Sequence, residues 1–351
     1  MKLTREEFRK YIFSYTEDEA FYKKLYLQKK KDPETFQDYC LNLDRNFILE
    51  HHLYVPELLS GSWSPYMEEK DFFQDTVENI ILYKHNRYTP VFSHEHEFFE
   101  ILCVYDGTAD TTIQGIRHTL HTGDICIIPP NTTHSVGIFD DSTAFNILVR
   151  GTTFQSTFFQ SLTADSALAQ FFAHVLYRKT EGNYLIFHSG DDVRIRDMLE
   201  NLYIEYLGHE KYSYTFLNSM LVMFWAMLLR YHENDIESIL TKDTAGNSVT
   251  EILNYLNQHY QTVTLSKLAL AFNYSERQVI RIFKKNTGKG FSELLTEIRM
   301  NKAIQLLKNK DIPINGIASL LGYSSTYYFN KVFLETFTFS PESFRKRIFQ
   351  T

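Results

Sequence analysis

Four cations on one short stretch, Arg277, Arg281, Lys284 and Lys285, alternate with the apolar residues Val279, Ile282 and Phe283. A helix carrying them would bury one side and hold a row of positive charge on the other, a surface suited to DNA phosphate. A second chemically capable set lies far upstream. His94 and His96 are followed by Glu100 and, after a turn-rich interval, by His134. Imidazole and carboxylate groups can bind a metal ion or hydrogen-bond a polar molecule. On a strand, residues two apart point to one face, so His94 and His96 would turn the same way.

The cations need a scaffold, and the flanking sequence predicts one. Leu265, Leu268, Ala269 and Phe272 form the apolar face of a short helix. Asn273 tolerates the left-handed conformation that stops it. Ser275 can cap the next helix, and Gln278 three residues on completes a capping box. Short helix, sharp turn, basic helix is the helix-turn-helix pattern. It recurs from Ile314, with Gly322 as the stop, Ser324 as the cap and Ser325 to Phe333 as the second helix. Phe283, Tyr328 and Phe329 read as core. Phe291, Leu294, Leu295, Ile298 and Leu306 are in phase, which predicts one continuous amphipathic helix from Phe291 to Leu307 between the units. Two recognition helices joined in this way would sit about one DNA turn apart, on the order of 34 Å.

The histidines lie in a stretch of different texture. Ile80 to Tyr83, Phe98 to Tyr105, Ala109 to Ile113, Ile125 to Ile128 and Phe145 to Val149 read as strands. Asp106-Gly107, Gln114-Gly115, Gly123-Asp124 and Pro129-Pro130-Asn131 are the turns between them. Short strands at close spacing predict a small barrel or jelly roll. Helical texture surrounds it. Met1 to about Lys70 carries no motif. From Ser166 to Glu237 the helical period returns, with Met198, Leu199, Leu202, Tyr203 and Tyr206 on one face. Met220 to Leu229 is apolar nearly all round, which implies burial on more than one side. The expected architecture is α+β. It comprises a helical segment at 1–75, a small barrel at 76–160 and a helical connector and dimerisation region at 161–240. A polar linker at 241–247 and a DNA-binding domain at 248–351 complete it.

Charge supports that division. The whole chain is −7, with 44% hydrophobic and 23% charged residues. Ser248 to Thr351, however, holds 14 Lys+Arg against 7 Asp+Glu, net +7, and leaves the remainder at −14. A basic tail on an acidic body fits a chain that meets phosphate at one end. The three cysteines, Cys40, Cys103 and Cys126, are too few and too scattered for a disulfide framework. The first residues have no apolar leader. The longest apolar run, Met220 to Leu229, falls well short of the roughly 20 residues a membrane span requires. A cytoplasmic, non-membrane protein is expected.

From about Ile252 to Arg347 the chain resembles the AraC/XylS family of bacterial regulators. The resemblance rests on Leu265 to Ala269 with Tyr274-Ser275, Phe283-Lys284-Lys285 through Gly288, and Arg299 with Ala303 and Leu306-Leu307. It continues through Ile317-Ala318, Gly322-Tyr323-Ser324, Tyr328-Phe329 with Phe333, and Ser340-Pro341 with Phe344-Arg345. It implies that the exposed residues of the recognition helices read bases: Arg277, Ile280 and Arg281 in the first unit, and Thr326, Tyr327, Asn330 and Lys331 in the second. Arginine suits guanine and asparagine suits adenine. Lys284, Lys285 and Lys289 would neutralise phosphate. Leu334-Glu335 stand where the family usually has basic residues, and Thr338 stands where it usually has glycine. Both departures imply a weaker phosphate grip in the second unit.

The segment from His94 to His134 is similar to the two cupin motifs, whose metal ligands would fall on His94, His96, Glu100 and His134. Such a set suits iron, manganese, nickel or zinc. Sensor barrels of this regulator family commonly hold an organic effector instead. The four residues are therefore read as an effector pocket or a possible divalent transition-metal site, with Arg150 and Tyr105 as contributors. The resemblances together imply a transcription regulator that binds double-stranded DNA and a small effector, possibly a sugar, and that forms a homodimer. The alternative is a metal-dependent cupin enzyme fused to a DNA-binding tail. No catalytic residue is assigned.

Overall fold

The computed structural model describes residues 3–58, 66–73, 79–153, 184–238, 252–253 and 255–350, apart from the side chains at 152, 285–286 and 348–350. The chain divides into two compact units. One comprises 1–73, 79–150 and 181–239; the other comprises 240–351 with the pieces 74–78 and 151–180. The expected linker at 241–247 lies outside the described residues.

The first unit opens with helices α1 (Arg5–Phe13), α2 (Glu17–Lys31), α3 (Phe36–Leu41) and α4 (Arg45–Glu50). Threonine starts the first two: Thr4 with Glu7, and Thr16 with Glu19, form complete capping boxes. Tyr22, Leu25, Phe36, Cys40, Leu53 and Val55 bury against one another and against Tyr88 of the following domain. After β1 (Tyr66–Met67) and helix α5 (Glu69–Phe72), eight strands follow in close succession. They are β2 (Ile80–Lys84), β3 (Glu95–His96), β4 (Phe99–Asp106), β5 (Thr108–Ile113), β6 (Ile116–His121), β7 (Asp124–Ile128), β8 (His134–Gly137) and β9 (Thr143–Val149). β10 (Leu185–His188) and β11 (Ile236–Ser238) complete the set.

One sheet has the order β11-β10-β7-β4-β9-β2, and a second has the order β6-β5-β8. Leu102, Cys126 and Ile128 of the larger sheet share a buried core with Ala109, Ile113, Leu120 and Val136 of the smaller. The turn at Gly107 is forced. Its φ is +80°, and a Cβ there would lie 2.0 Å from Ser142 Oγ. β10 was not expected. Its run Leu185-Ile186-Phe187 falls in a stretch read as helical, because a short fully buried strand has no period to distinguish it. It pairs antiparallel with β7 and carries β11 on its other edge.

Helices α6 (Val193–Gly208) and α7 (Ser213–His232) pack together and against the sheet. Leu217, Leu221, Phe224, Trp225 and Leu228 of α7 are buried. The opposite side differs from expectation: Phe216 is 60% and Met223 53% exposed. Within the first unit, α7 is therefore buried on one face only. Among the described residues no helix is long and apolar enough to cross a membrane. Cys40, Cys103 and Cys126 are free and buried.

The second unit contains α8 (Leu265–Ala271), α9 (Glu276–Thr287), α10 (Phe291–Leu307), α11 (Ile314–Leu320), α12 (Thr326–Phe337) and α13 (Pro341–Gln350). α10 is the single helix its periodicity predicts. At 17 residues it spans about 25 Å. Met300, Ala303 and Leu307 of α10 bury against Ile317 and Ala318 of α11 and Phe329 and Phe333 of α12.

Candidate functional site

The two helix-turn-helix units align position by position once their caps are located. Ser275 caps α9 as expected, accepting from Gln278 N–H in a full capping box. In the second unit the cap is Ser325, not Ser324, accepting from Tyr328 N–H at 3.4 Å. The first stop, Asn273 (φ 55°), stands two residues before its cap; the second, Gly322 (φ 78°), stands three before. One inserted residue displaces the start of α12. With Ser275 set against Ser325, Val279 and Phe283 match Phe329 and Phe333, and all four are buried. Arg277, Ile280, Arg281 and Lys284 then match Tyr327, Asn330, Lys331 and Leu334, and all eight are exposed. Tyr328 falls opposite Gln278 and is 56% exposed rather than core.

The faces differ in charge. Among the described residues Arg277 and Arg281 pair with no carboxylate. Lys284 reaches Glu293 at 3.4 Å, Lys289 pairs with Glu297 at 2.6 Å, and Lys331 lies 3.9 Å from Glu335. Such surface pairs contribute little and exchange readily for phosphate. The side chain of Lys285 lies outside the described residues. Thr326 begins α12 and is partly exposed. Thr338 takes the left-handed position (φ 62°) after α12, the place where glycine would be strain-free.

In the first unit the strands bring His94, Glu100 and His134 together. His94 and His134 are paired backbone to backbone, His94 N–H to His134 O at 2.9 Å and the reverse at 3.0 Å, and their ring centroids lie 4.2 Å apart. Asn131 makes the turn that allows this, at φ 58°, and donates its backbone N–H to His96 O at 2.8 Å. Glu100 is buried on β4. Its Oε2 lies 3.3 Å from His96 Nε2 and 3.4 Å from His134 Nε2. One ligand atom from each of His94, Glu100 and His134 falls within 4.8 Å of the others. His96 stands beside them with its ring stacked on Phe98.

The hydrogen bonds determine which nitrogens remain available. His134 Nδ1 is 2.9 Å from Thr132 O, and a carbonyl only accepts, so Nδ1 carries the proton. His94 Nδ1 faces Phe92 O in the same way at 3.3 Å. Both rings therefore offer Nε2. A bare Nε2 facing a carboxylate is unfavourable, so the His134–Glu100 contact calls for a proton or a cation between them. Burial alone would raise Glu100, but the imidazoles of His134 and His96 beside it hold it well below the usual carboxylate range. Burial alone would lower His134; the Glu100 contact raises it instead. Burial and the neighbouring His134 push His94 down to about 4.

Of these groups His94 and Glu100 face a cavity of about 330 Å³, while His96 and His134 do not line it. Arg150 and Tyr105, expected as contributors, do not line it. The Arg150 guanidinium packs on Phe73 and donates to Phe73 O, while Tyr105 donates to Glu200 at 2.6 Å. The cavity instead takes His85 and Asn146 from the barrel, Tyr22 from α2, and His52 and Tyr54 from the stretch that follows α4. No motif marked these residues, because their places depend on pairing between distant segments.

A family model described as a helix-turn-helix domain matches residues 268–347, and one described as an AraC-like ligand binding domain matches 80–205. The chain belongs to the AraC/XylS family: it is a DNA-binding transcription regulator with a small-molecule ligand-binding domain. Among its relatives is the HTH-type transcriptional activator RhaS of Klebsiella pneumoniae (strain 342). It is 24% identical over 284 residues, covering 80% of this chain and 96% of that protein. The activator RhaR of Mannheimia succiniciproducens is 25% identical over 274 residues, covering 77% and 93%. Among solved structures, the C-terminal domain of AraT, a response regulator from Geobacillus stearothermophilus, is 34% identical. That match covers 27% of this chain and 81% of the other, with a TM-score of 0.27.

Proposed function

We propose that this regulator reads its operator through the matched exposed faces of α9 and α12, under control of a small polar effector held in the barrel cavity. Arg277, Ile280 and Arg281 read bases in the first unit; Thr326, Tyr327, Asn330 and Lys331 read bases in the second. Lys284, Lys285 and Lys289 meet phosphate. The observation that carries this reading is the register between the units: four exposed positions on one helix answer four on the other, and among the described residues Arg277 and Arg281 pair with no carboxylate. Arg281→Ala is expected to weaken operator binding by about 1–3 kcal/mol while binding to random DNA falls far less. Equal losses on the two DNAs would contradict base reading by Arg281.

The second copy needed for a homodimer has a candidate surface. Phe216, Met220, Met223 and Met227 recur at four- and three-residue steps along the uncovered side of α7, the spacing of a helix–helix seam. Met223→Glu should convert a dimer to monomer in sedimentation, and a wild-type chain already monomeric at micromolar concentration would refute this.

His94, Glu100 and His134 also fit a divalent transition metal, because each imidazole is oriented through Nδ1 and presents Nε2. A bound ion would act as a Lewis acid toward effector hydroxyls, while these three side chains fix its place. Stoichiometric uptake by untagged, chelator-treated protein supports that second reading, and no uptake removes it.

A further inference from the structure

The first unit ends on a short edge strand. β11 pairs with β10 through Leu185–Ser238, Ile186–Glu237 and Phe187–Ile236. The second unit follows it in sequence. Three residues at a sheet edge have little backbone pairing to hold them. We propose that His188 and His232, each an imidazolium bridging two carboxylates, latch the segment 232–238 onto the barrel, and that rising pH releases it. The latch operates whatever occupies the barrel cavity.

The geometry sets the charge of both rings. His188 Nδ1 lies 2.9 Å from Asp124 Oδ1 on β7, and its Nε2 lies 3.4 Å from Glu237 Oε2 on β11. His232 ends α7, with Nε2 2.9 Å from Asp192 Oδ2 and Nδ1 3.3 Å from Asp235 Oδ2. A carboxylate only accepts, and a neutral imidazole carries one N–H. Both contacts of each ring are therefore satisfied only when both nitrogens are protonated. The carboxylates are themselves held in place. Asp124 accepts from His121 N–H at 2.8 Å. Asp192 caps α6 and accepts from Arg194 N–H and Nε, both at 2.9 Å. The His232–Asp192 pair is nearly covered, with side chains 11% and 8% exposed, so solvent screens it less than a surface pair. The end of α7 adds to this, since unpaired helix carbonyls favour a cation.

His118 of β6 provides a contrast. Its Nε2 lies 2.6 Å from Tyr184 Oη, which can donate, and its Nδ1 faces Glu237 Oε1 at 3.6 Å. Burial pushes the Tyr184 phenol up to about 12, so it keeps its proton. One ring proton thus satisfies His118, and the latch does not require its charge.

The surrounding charges set the direction of the response. His188 faces Asp124 and Glu237, with His118 beyond Glu237. His232 faces Asp192 and Asp235, with the Arg194 guanidinium across Asp192 opposing it. Burial alone would lower His188, but Asp124 and Glu237 raise it above its ordinary value. The folded value being the higher one, the hold is fully present below the unfolded pKa of about 6.5 and is lost as pH rises through the folded value. Release of Ile236–Ser238 lengthens the free chain leading to the second unit by roughly 10 Å.

The test is hydrogen exchange of the full chain at pH 6.5 and pH 8.5, read by mass spectrometry and corrected with an unstructured reference peptide. Opening of 232–238 should increase about tenfold or more between the two pH values, with β4 and β9 unchanged. His188→Gln combined with His232→Gln should open the segment equally at both. If that double variant fails to fold, Glu237→Gln, at an exposed position, decides alone and should shrink the increase severalfold. Wild-type protection that is the same at both pH values would overturn the latch. So would an undiminished increase in the double variant, or in Glu237→Gln where that variant decides.

Discussion

Replacing Glu19 by alanine is expected to destabilise the first unit by about 3–5 kcal/mol, the cost of leaving a buried charge uncompensated. Here two charges are left. Lys84 and Arg87 are almost fully buried, with side chains 4% and 2% exposed, and Glu19 is their shared carboxylate. Tyr15 stacks on the Arg87 guanidinium at 3.7 Å but cannot neutralise it. Glu19→Gln keeps the shape and part of the hydrogen bonding, so its loss should be smaller.

The same group sets a pH dependence. Burial would raise the Glu19 carboxyl, but hydrogen bonds from Arg87 and Lys84 hold it below its ordinary value. The folded value being the lower one, the stabilisation is fully present above the unfolded pKa of about 4.3 and is lost as pH falls through the folded value. Wild type should therefore lose stability on acidification below about pH 5, and Glu19→Gln should lose less over that interval. Chemical denaturation at pH 7 and pH 4 measures both effects; a parallel loss in the two proteins would show that the triad does not carry the charge assigned to it.

Gly322→Ala is the second large expectation, with a loss on the order of 3–5 kcal/mol in the second unit and no measurable operator binding. Gly322 sits at φ 78°, and a Cβ there would lie 2.0 Å from Gln261 O and 2.8 Å from Arg299 Nη2. Neither neighbour can retreat cheaply. Arg299 is held between Tyr260 O at 3.0 Å and Gln261 O at 3.3 Å, so the turn and the N-terminal part of this unit are fitted to each other. Gly288 provides the control. Its φ is 68°, but nothing lies within 4 Å of its virtual Cβ, so Gly288→Ala should cost only the left-handed conformation, about 1–2 kcal/mol. Similar losses for the two variants in thermal unfolding would mean that the close approach at Gly322 is not what fixes that turn.

The second unit was legible in the sequence because its signals are local. A capping serine, a left-handed stop and a 3.6-residue period operate within a few residues, and α10 runs between the ends its apolar phase predicted. The failures there were also local: one extra residue before Ser325 shifted the start of α12, and Tyr328 moved from core to surface with it. The barrel was legible where strands alternate or follow clear turns. β10 was missed because a buried apolar run has no period. The cluster of His94, Glu100 and His134 followed from residue types, but the rest of the cavity did not. His85, Asn146 and the pair His52 and Tyr54 come from three separate segments, and only the pairing of β2 with β9 and the burial of Glu19 against Lys84 and Arg87 bring them to one place.

The regulator reading predicts sequence discrimination by the basic unit, and one titration addresses it directly. Genomic fragments retained by the full chain would supply an operator duplex, and fluorescence anisotropy at fixed salt would compare that duplex with a shuffled one of equal length. The account predicts operator binding tighter by on the order of a thousandfold or more. Equal affinity for both duplexes would reduce the basic faces of α9 and α12 to a non-specific phosphate surface and contradict it.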